Sequence, residues 1–218
     1  MFSIFFSREL EEINKLLLHL GGLVEDNFRK AVQSAINHDG ELGRTVVSLD
    51  NQIDEAEIQV EEECLKAMAL HQPVAKDLRY LVAVLKINND LERIGDLAAN
   101  MAERTIQLAE VKAKDAPFNV EAMAEKVETM LEMALDALVN YDLKLANEAI
   151  EMDDEVDAMH KDAFTAVKKQ IRENPKDMDA QINYLSISRY LERIADLATN
   201  IAEDVVYMIE GKIVRHIL

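Results

Sequence analysis

Thirteen residues of this chain occur twice. LERIGDLAANMAE at Leu91–Glu103 returns as LERIADLATNIAE at Leu191–Glu203, identical at ten of thirteen positions with an offset of 100 residues. A looser match sets NHDGELGRTVVSLDNQID at Asn37–Asp54 against NYDLKLANEAIEMDDEVD at Asn140–Asp157, offset by 103, and keeps the Asn, Asp, Leu and paired acids in order. Self-similarity at a long fixed spacing marks a tandem duplication, so a fold that suits one half must suit the other. The halves divide at 1–113 and 114–218, each long enough to bury a core of its own.

The unit is helical. Three prolines, six glycines and 5% aromatic residues are too few for a sheet protein, while Glu, Leu, Ala, Lys and Met recur throughout. Breaks fall at Gly40 and Gly43, at Gln72-Pro73, at Asp115-Ala116-Pro117 and at Asn174-Pro175. They predict helices near 8–38, 42–70, 75–112, 119–141, 144–172 and 177–211. Apolar residues at three- and four-residue spacing (Leu78, Leu81, Val82, Leu85, then Ile94, Leu97, Met101) form the stripe that faces a bundle interior. Short connections make neighbouring helices antiparallel, so the expected fold is all-α: two tandem three-helix bundles, each up-down-up, with the ten methionines as core filler.

With 24 basic against 42 acidic residues the formal charge is −18, which repels nucleic-acid backbones and anionic lipid and favours cations and basic protein patches. A single cysteine, Cys64, excludes an intramolecular disulfide and fits a reducing, cytoplasmic setting. The apolar start, Met1 to Phe6, is too short for a leader or a spanning helix. It is expected to pack on the first helix, with an interfacial or partner-groove role as the alternative.

On the third helix Glu92, Asp96, Asn100 and Glu103 fall within an arc of about 80°, one oxygen-rich stripe set opposite Ile94, Leu97 and Met101. The second repeat copies it as Glu192, Asp196, Asn200 and Glu203. The second helix of each half adds an acidic pair, Asp50/Asp54 and Asp153/Asp157. Like charges four apart destabilise a helix by about 0.2–0.5 kcal/mol per pair, so their recurrence calls for a compensating partner. Hard oxygen ligands on adjacent helices suit a bound cation, and we take all ten residues as candidate ligands: Asp50, Asp54, Glu92, Asp96, Asn100, Asp153, Asp157, Glu192, Asp196 and Asn200. The competing reading has Arg93, Arg193 and nearby lysines neutralising the acids as surface ion pairs, and Asn100 and Asn200 bonding neighbouring helices.

The parts of a catalytic centre are missing from the sequence. There is no Gly-rich phosphate loop, no Gly-x-Ser-x-Gly elbow, no Cys/His ligand spacing and no pair of Glu-x-x-His motifs, so no catalytic residue is assigned. The nearest approach, Asp157-x-x-His160, occurs once and is read as structural. A metal-dependent enzyme or metal-storage bundle using the same carboxylates is the rival reading, and it requires an open coordination position.

The repeated Leu-Glu-Arg-Ile-Gly/Ala-Asp-x-Ala-x-Asn-x-Ala-Glu, the preceding Asp77-Leu78-Arg79 and the ending Tyr207-Met-Ile-Glu-Gly211-Lys-Ile-Val-Arg215-His216 resemble the PhoU family over nearly the whole chain. That resemblance implies a non-catalytic regulator acting between a phosphate-specific ABC transporter, through its ATPase subunit, and a phosphate-responsive sensor histidine kinase, restraining the starvation response when phosphate is plentiful. It also implies multinuclear iron or zinc clusters on the Glu/Asp-x-x-x-Asp motifs, a homodimer, and a cytoplasmic protein peripherally associated with inner-membrane complexes. Two departures make the halves unequal: Ala195 stands where the first copy has Gly95, and Asp179 where it has Arg79.

Overall fold

The structure is a computed structural model and describes residues 2–113 and 115–211. The helices are α1 (Phe2–Asn37), α2 (Gly40–His71), α3 (Lys76–Glu110), α4 (Val120–Asn140), α5 (Leu143–Glu151), α6 (Asp153–Glu173) and α7 (Met178–Glu210), with a short 3-10 turn at Pro175–Asp177 before the last. The chain is all-α, and the six expected rods are all present. The fifth differs from expectation: a tightened turn at Met152 divides it into α5 and α6. Asp153, Asp154 and Glu155 follow at once and set three carboxylates on the positive end of the α6 dipole, which makes this a favourable place to restart a helix.

The first break also lies elsewhere than expected. Gly40 and Gly43 sit inside α2; the turn is made by His38 in the left-handed region (φ 52°), and Asp39 then accepts from the N–H groups of Glu41 and Leu42, both at 3.0 Å. The second half builds the same turn from Tyr141 (φ 53°) and Asp142, which accepts from Lys144 and Leu145 at 2.9 and 3.1 Å. This local device is why an Asp recurs at Asp39 and Asp142. Gly43 has another use: a Cβ there would stand 3.2 Å from the Ala102 carbonyl oxygen and 3.0 Å from Ile106, so its absence lets α2 lie close on α3.

α1 packs on α2 and α3, α4 on α5 and α7, and α1 touches α4. The central joint is between α3 and α7, the two carriers of the repeated motif, which run antiparallel. At one end Arg79 lies against Gly211. Further along, Lys86 Nζ donates to the buried Asp204 at 3.2 Å and rests 5.2 Å from the Tyr207 ring centre. At the far end His38 Nε2 meets Tyr184 Oη at 2.9 Å. Apolar side chains from both halves thereby join one connected core that includes Phe28, Leu91, Ile94, Leu131, Leu191 and Val205. Arg79, the asymmetric residue of the first half, is half-buried with its guanidinium at the C-terminal end of α7, where a cation complements the helix dipole.

The methionines are mostly core, as Met101, Met123, Met130 and Met208 show, although Met178 is 46% exposed. Phe6 packs on His71 with ring centres 4.9 Å apart, while Phe5 is exposed. Met1 and the side chains of residues 2–4 lie outside the described residues, as does the closing stretch 212–218 with Arg215 and His216.

The exchange of Gly95 for Ala195 has a packing cause. A Cβ on Gly95 would come within 2.9 Å of Ile53 Cδ1 and 3.1 Å of its Cγ2, whereas in the second half the residue matching Ile53 is the smaller Val156, buried as Ala195 is. Each repeat thus fills the same space with a different division of volume. Gly95→Ala alone is expected to lose its gain in helix propensity, about 1 kcal/mol, to crowding. Adding Ile53→Val removes the Cδ1 contact and leaves Ile53 Cγ2 and Asp50 Oδ1 near the new Cβ, so it should recover part of that loss, a coupling of about 0.5 kcal/mol measurable in a denaturant double-mutant cycle. Additive effects would refute this account.

Candidate functional site: two carboxylate clusters and the groove between them

The repeated helices bring the acidic residues together in two places. In the first half Asp50 and Asp54 on α2 face Glu92 and Asp96 on α3. Burial, then Asp96 and Asp54, push Asp50 up to about 6, and burial followed by Asp96, Asp54, Glu57 and Asp50 also raises Glu92. In the second half Asp153 and Asp157 on α6 face Glu192 and Asp196 on α7. Here burial, Glu192, Asp153 and Asp157 push Asp196 up to about 6 against the weaker opposing field of Arg193. Asp153 is raised by burial and Asp157, partly offset because Thr199 Oγ1 donates to it at 3.3 Å. The most strained acid has changed helix between repeats, from α2 to α7.

The surface ion-pair reading explains little of this. Among the described residues no basic side chain lies within ion-pair distance of Asp50, Asp54, Glu92, Asp96, Asp153, Glu192 or Asp196; Arg93 turns to Asp90 at 3.6 Å, and only Asp157 has a lysine, Lys161 at 3.3 Å. Asp50 Oδ1 is buried without a hydrogen-bond partner. An orphaned carboxylate oxygen amid three other acids is the donor set that a hard cation neutralises. Even so, among the described residues no three His, Cys, Asp or Glu side chains stand close enough to hold an ion. The chemistry of the clusters fits a metal; closing on one would require the carboxylates to rotate inward.

The asparagines behave differently from the acids. Asn100 Nδ2 donates to the Asp96 carbonyl one turn back at 2.8 Å, so it bonds its own helix rather than a neighbour. Asn100 and Asn200 instead line a groove of about 400 Å³ where α3 crosses α7, together with Arg93, Asp96, Leu97 and their counterparts Arg193, Asp196 and Leu197. Leu97, expected on the core side, packs against the core and also forms part of the groove wall. The sequence offered these arginines only as ion-pair partners of the acids; that they meet across one groove follows from the crossing of the two copied helices.

Glu57 was also missed. It is raised mainly by burial and accepts from Asn88 Nδ2 at 2.9 Å. His160, three residues after Asp157 as Glu57 is after Asp54, has Nδ1 3.0 Å from Ser188 Oγ, a cross-helix hydrogen bond at the matching place. His160 is therefore structural on its Nδ1 side, and its ring borders a second depression with Glu192 and Asp196.

A six-rod, internally duplicated bundle with paired carboxylates on its central helices defines a class, and comparison with known proteins supplies its family. The PhoU domain matches residues 17–105 and again 120–205. The phosphate-specific transport system accessory protein PhoU homolog of Pseudomonas aeruginosa is 38% identical over 213 residues, covering 97% of this chain and 88% of that protein. The crystal structure of PhoU from Pseudomonas aeruginosa superposes with a TM-score of 0.91 at 38% identity, covering 95% of this chain and all of that one. The phosphate transport system regulatory protein PhoU from Streptococcus pneumoniae gives 0.88 at 27% identity, covering 96% and 99%. This chain belongs to the PhoU family.

Proposed function

We propose that this protein is the accessory regulator of a phosphate-specific ABC transporter. It binds the transporter's ATPase subunit and a phosphate-responsive sensor histidine kinase, and it restrains the starvation response when phosphate is plentiful. The observation that carries this reading is the match of both halves to the PhoU domain, alongside a near full-length relative named as an accessory of phosphate-specific transport. A coupling protein can shift a partner only by binding one of its states more tightly than another. Its work is recognition rather than catalysis, carried out as a cytoplasmic homodimer on membrane complexes. No described helix is long and apolar enough to cross a membrane, so such an association is with the surface.

Within this function the two carboxylate clusters hold iron or zinc. The support is the excess of unpaired carboxylates and the buried, partnerless Asp50 Oδ1. A cation offsets the burial and the mutual repulsion that together raise Asp50, Glu92, Asp153 and Asp196, and so fixes α2 to α3 and α6 to α7. The expected result is several equivalents of iron or zinc in untagged protein by elemental analysis, lost when Glu92, Asp96, Glu192 and Asp196 are all alanine. Metal-free wild type would remove metal from the proposal. In a cell whose own copy is deleted, a reporter of phosphate-starvation genes should be constitutively on and silenced again by this chain; an unchanged reporter would overturn the regulatory role.

A further inference from the structure

The duplication produced two outer helix faces at matching places and of opposite chemistry. From Lys161 to Lys176 there are five basic and two acidic residues, whereas the matching stretch of the first half, Ile58–Pro73, has three Glu and one Lys. On α6, Lys161, Lys168 and Arg172 fall within about 40° of arc, where α2 presents Ile58, Leu65 and Ala69. Lys161 is paired with Asp157 and Lys169 with Glu173, but among the described residues no carboxylate lies within ion-pair distance of Lys168, Arg172, Lys176 or Arg189. Asp162, Asp177 and Asp179 flank this face without reaching those four side chains, which leaves a cluster of cations free of ion pairs in a chain of charge −18.

Apolar groups stand out among those charges. Phe164 is 49% exposed on α6, with Lys168 Nζ 5.9 Å from its ring centre, and Met178 and Ile182 at the start of α7 are 46% and 48% exposed. We propose that this face of α6 and the start of α7 rest directly on an anionic phospholipid surface, the cations at the level of the headgroup phosphates and Phe164, Met178 and Ile182 in the acyl boundary. Cations mixed with a protruding aromatic and aliphatic side chains match an interface that is negative outside and apolar beneath. A nucleic-acid backbone would use the cations and leave the apolar groups without a role. The chain's overall negative charge does not forbid the contact, because fields from acids more than about 8 Å away are largely screened at physiological salt. The proposal goes beyond docking on protein complexes, since the ligand is lipid itself, and it needs neither metal nor transporter.

Flotation of the full-length protein with vesicles tests it, comparing phosphatidylcholine alone with phosphatidylcholine mixed with phosphatidylglycerol. The α6 pair Lys168→Glu with Arg172→Glu is set against Lys15→Glu with Lys66→Glu, which changes net charge equally at exposed positions of the first half. Wild type should partition onto the anionic vesicles, the α6 pair at least about 30-fold less, since each lost cation near the surface is worth about 1 kcal/mol and each new carboxylate adds repulsion. Phe164→Ser, with charge unaltered, should lower partition roughly tenfold. Far-UV spectra identical to wild type show that each variant is folded. Equal losses in both charge pairs, an unaffected Phe164→Ser or no partition of wild type would overturn the proposal. So would capture of a poly-glutamate peptide without vesicle binding, which would assign the face to an acidic polypeptide instead.

Discussion

Changing Asp50 and Asp196 to asparagine is expected to stabilise the metal-free protein at neutral pH by about 2 kcal/mol in total and to flatten its stability between roughly pH 4 and 6. Both carboxyls are pushed from 3.8 to about 6, chiefly by burial and then by facing acids. Between the unfolded and folded values the native state holds a proton that the unfolded chain has released. Stability therefore falls as pH rises through that window, and the whole penalty is present above it. A shift of about two units corresponds to nearly 3 kcal/mol per group, but both residues are part-exposed and screened by water, so about 1 kcal/mol each is the realistic size. Asparagine keeps the shape and removes the charge. Urea unfolding across this pH range in chelator should show wild type declining more steeply than the double variant, which keeps the smaller decline due to Glu92, Asp153 and Glu57; parallel curves would refute the account. Because a cation relieves the same repulsion, adding zinc or iron(II) should raise the wild-type midpoint at neutral pH and leave the variant's in place.

Leu91→Ala and Leu191→Ala should each cost about 2–5 kcal/mol and shift a single unfolding transition of the whole chain. Both leucines open the repeated motif, and both are fully buried. Removing either leaves a cavity in a core that runs without interruption through α3 and α7, so neither half can unfold while the other keeps its buried surface. Calorimetry distinguishes the alternatives. Two transitions, with only the mutated half shifted, would mean that the repeats are independent bundles in solution.

Much of this was legible in the chain. The six rods follow from hydrophobic spacing and from Gln72-Pro73 and Asn174-Pro175, because local sterics end helices regardless of context. Pairing of Asp50/Asp54 with Glu92/Asp96 was implied by short connections that force α2 against α3. Less visible was the tightened turn at Met152, where a small change in backbone angle separates two helices. The left-handed His38 and Tyr141 were hidden too, since neither residue type announces that conformation.

Sequence alone determined the duplication, the all-α class and the recurrence of the acidic pairs, all encoded by residues near one another in the chain. The tertiary structure decided the rest. The antiparallel meeting of α3 and α7 joins the cores and places Arg93 and Arg193 across one groove. The packing of α2 on α3 buries Asp50 Oδ1 without a partner, and burial, followed by the nearness of neighbouring acids, sets which carboxyls are raised. Such distances depend on how side chains some forty positions apart in the chain share volume, as Ile53 and Gly95 do, and no local pattern carries that information.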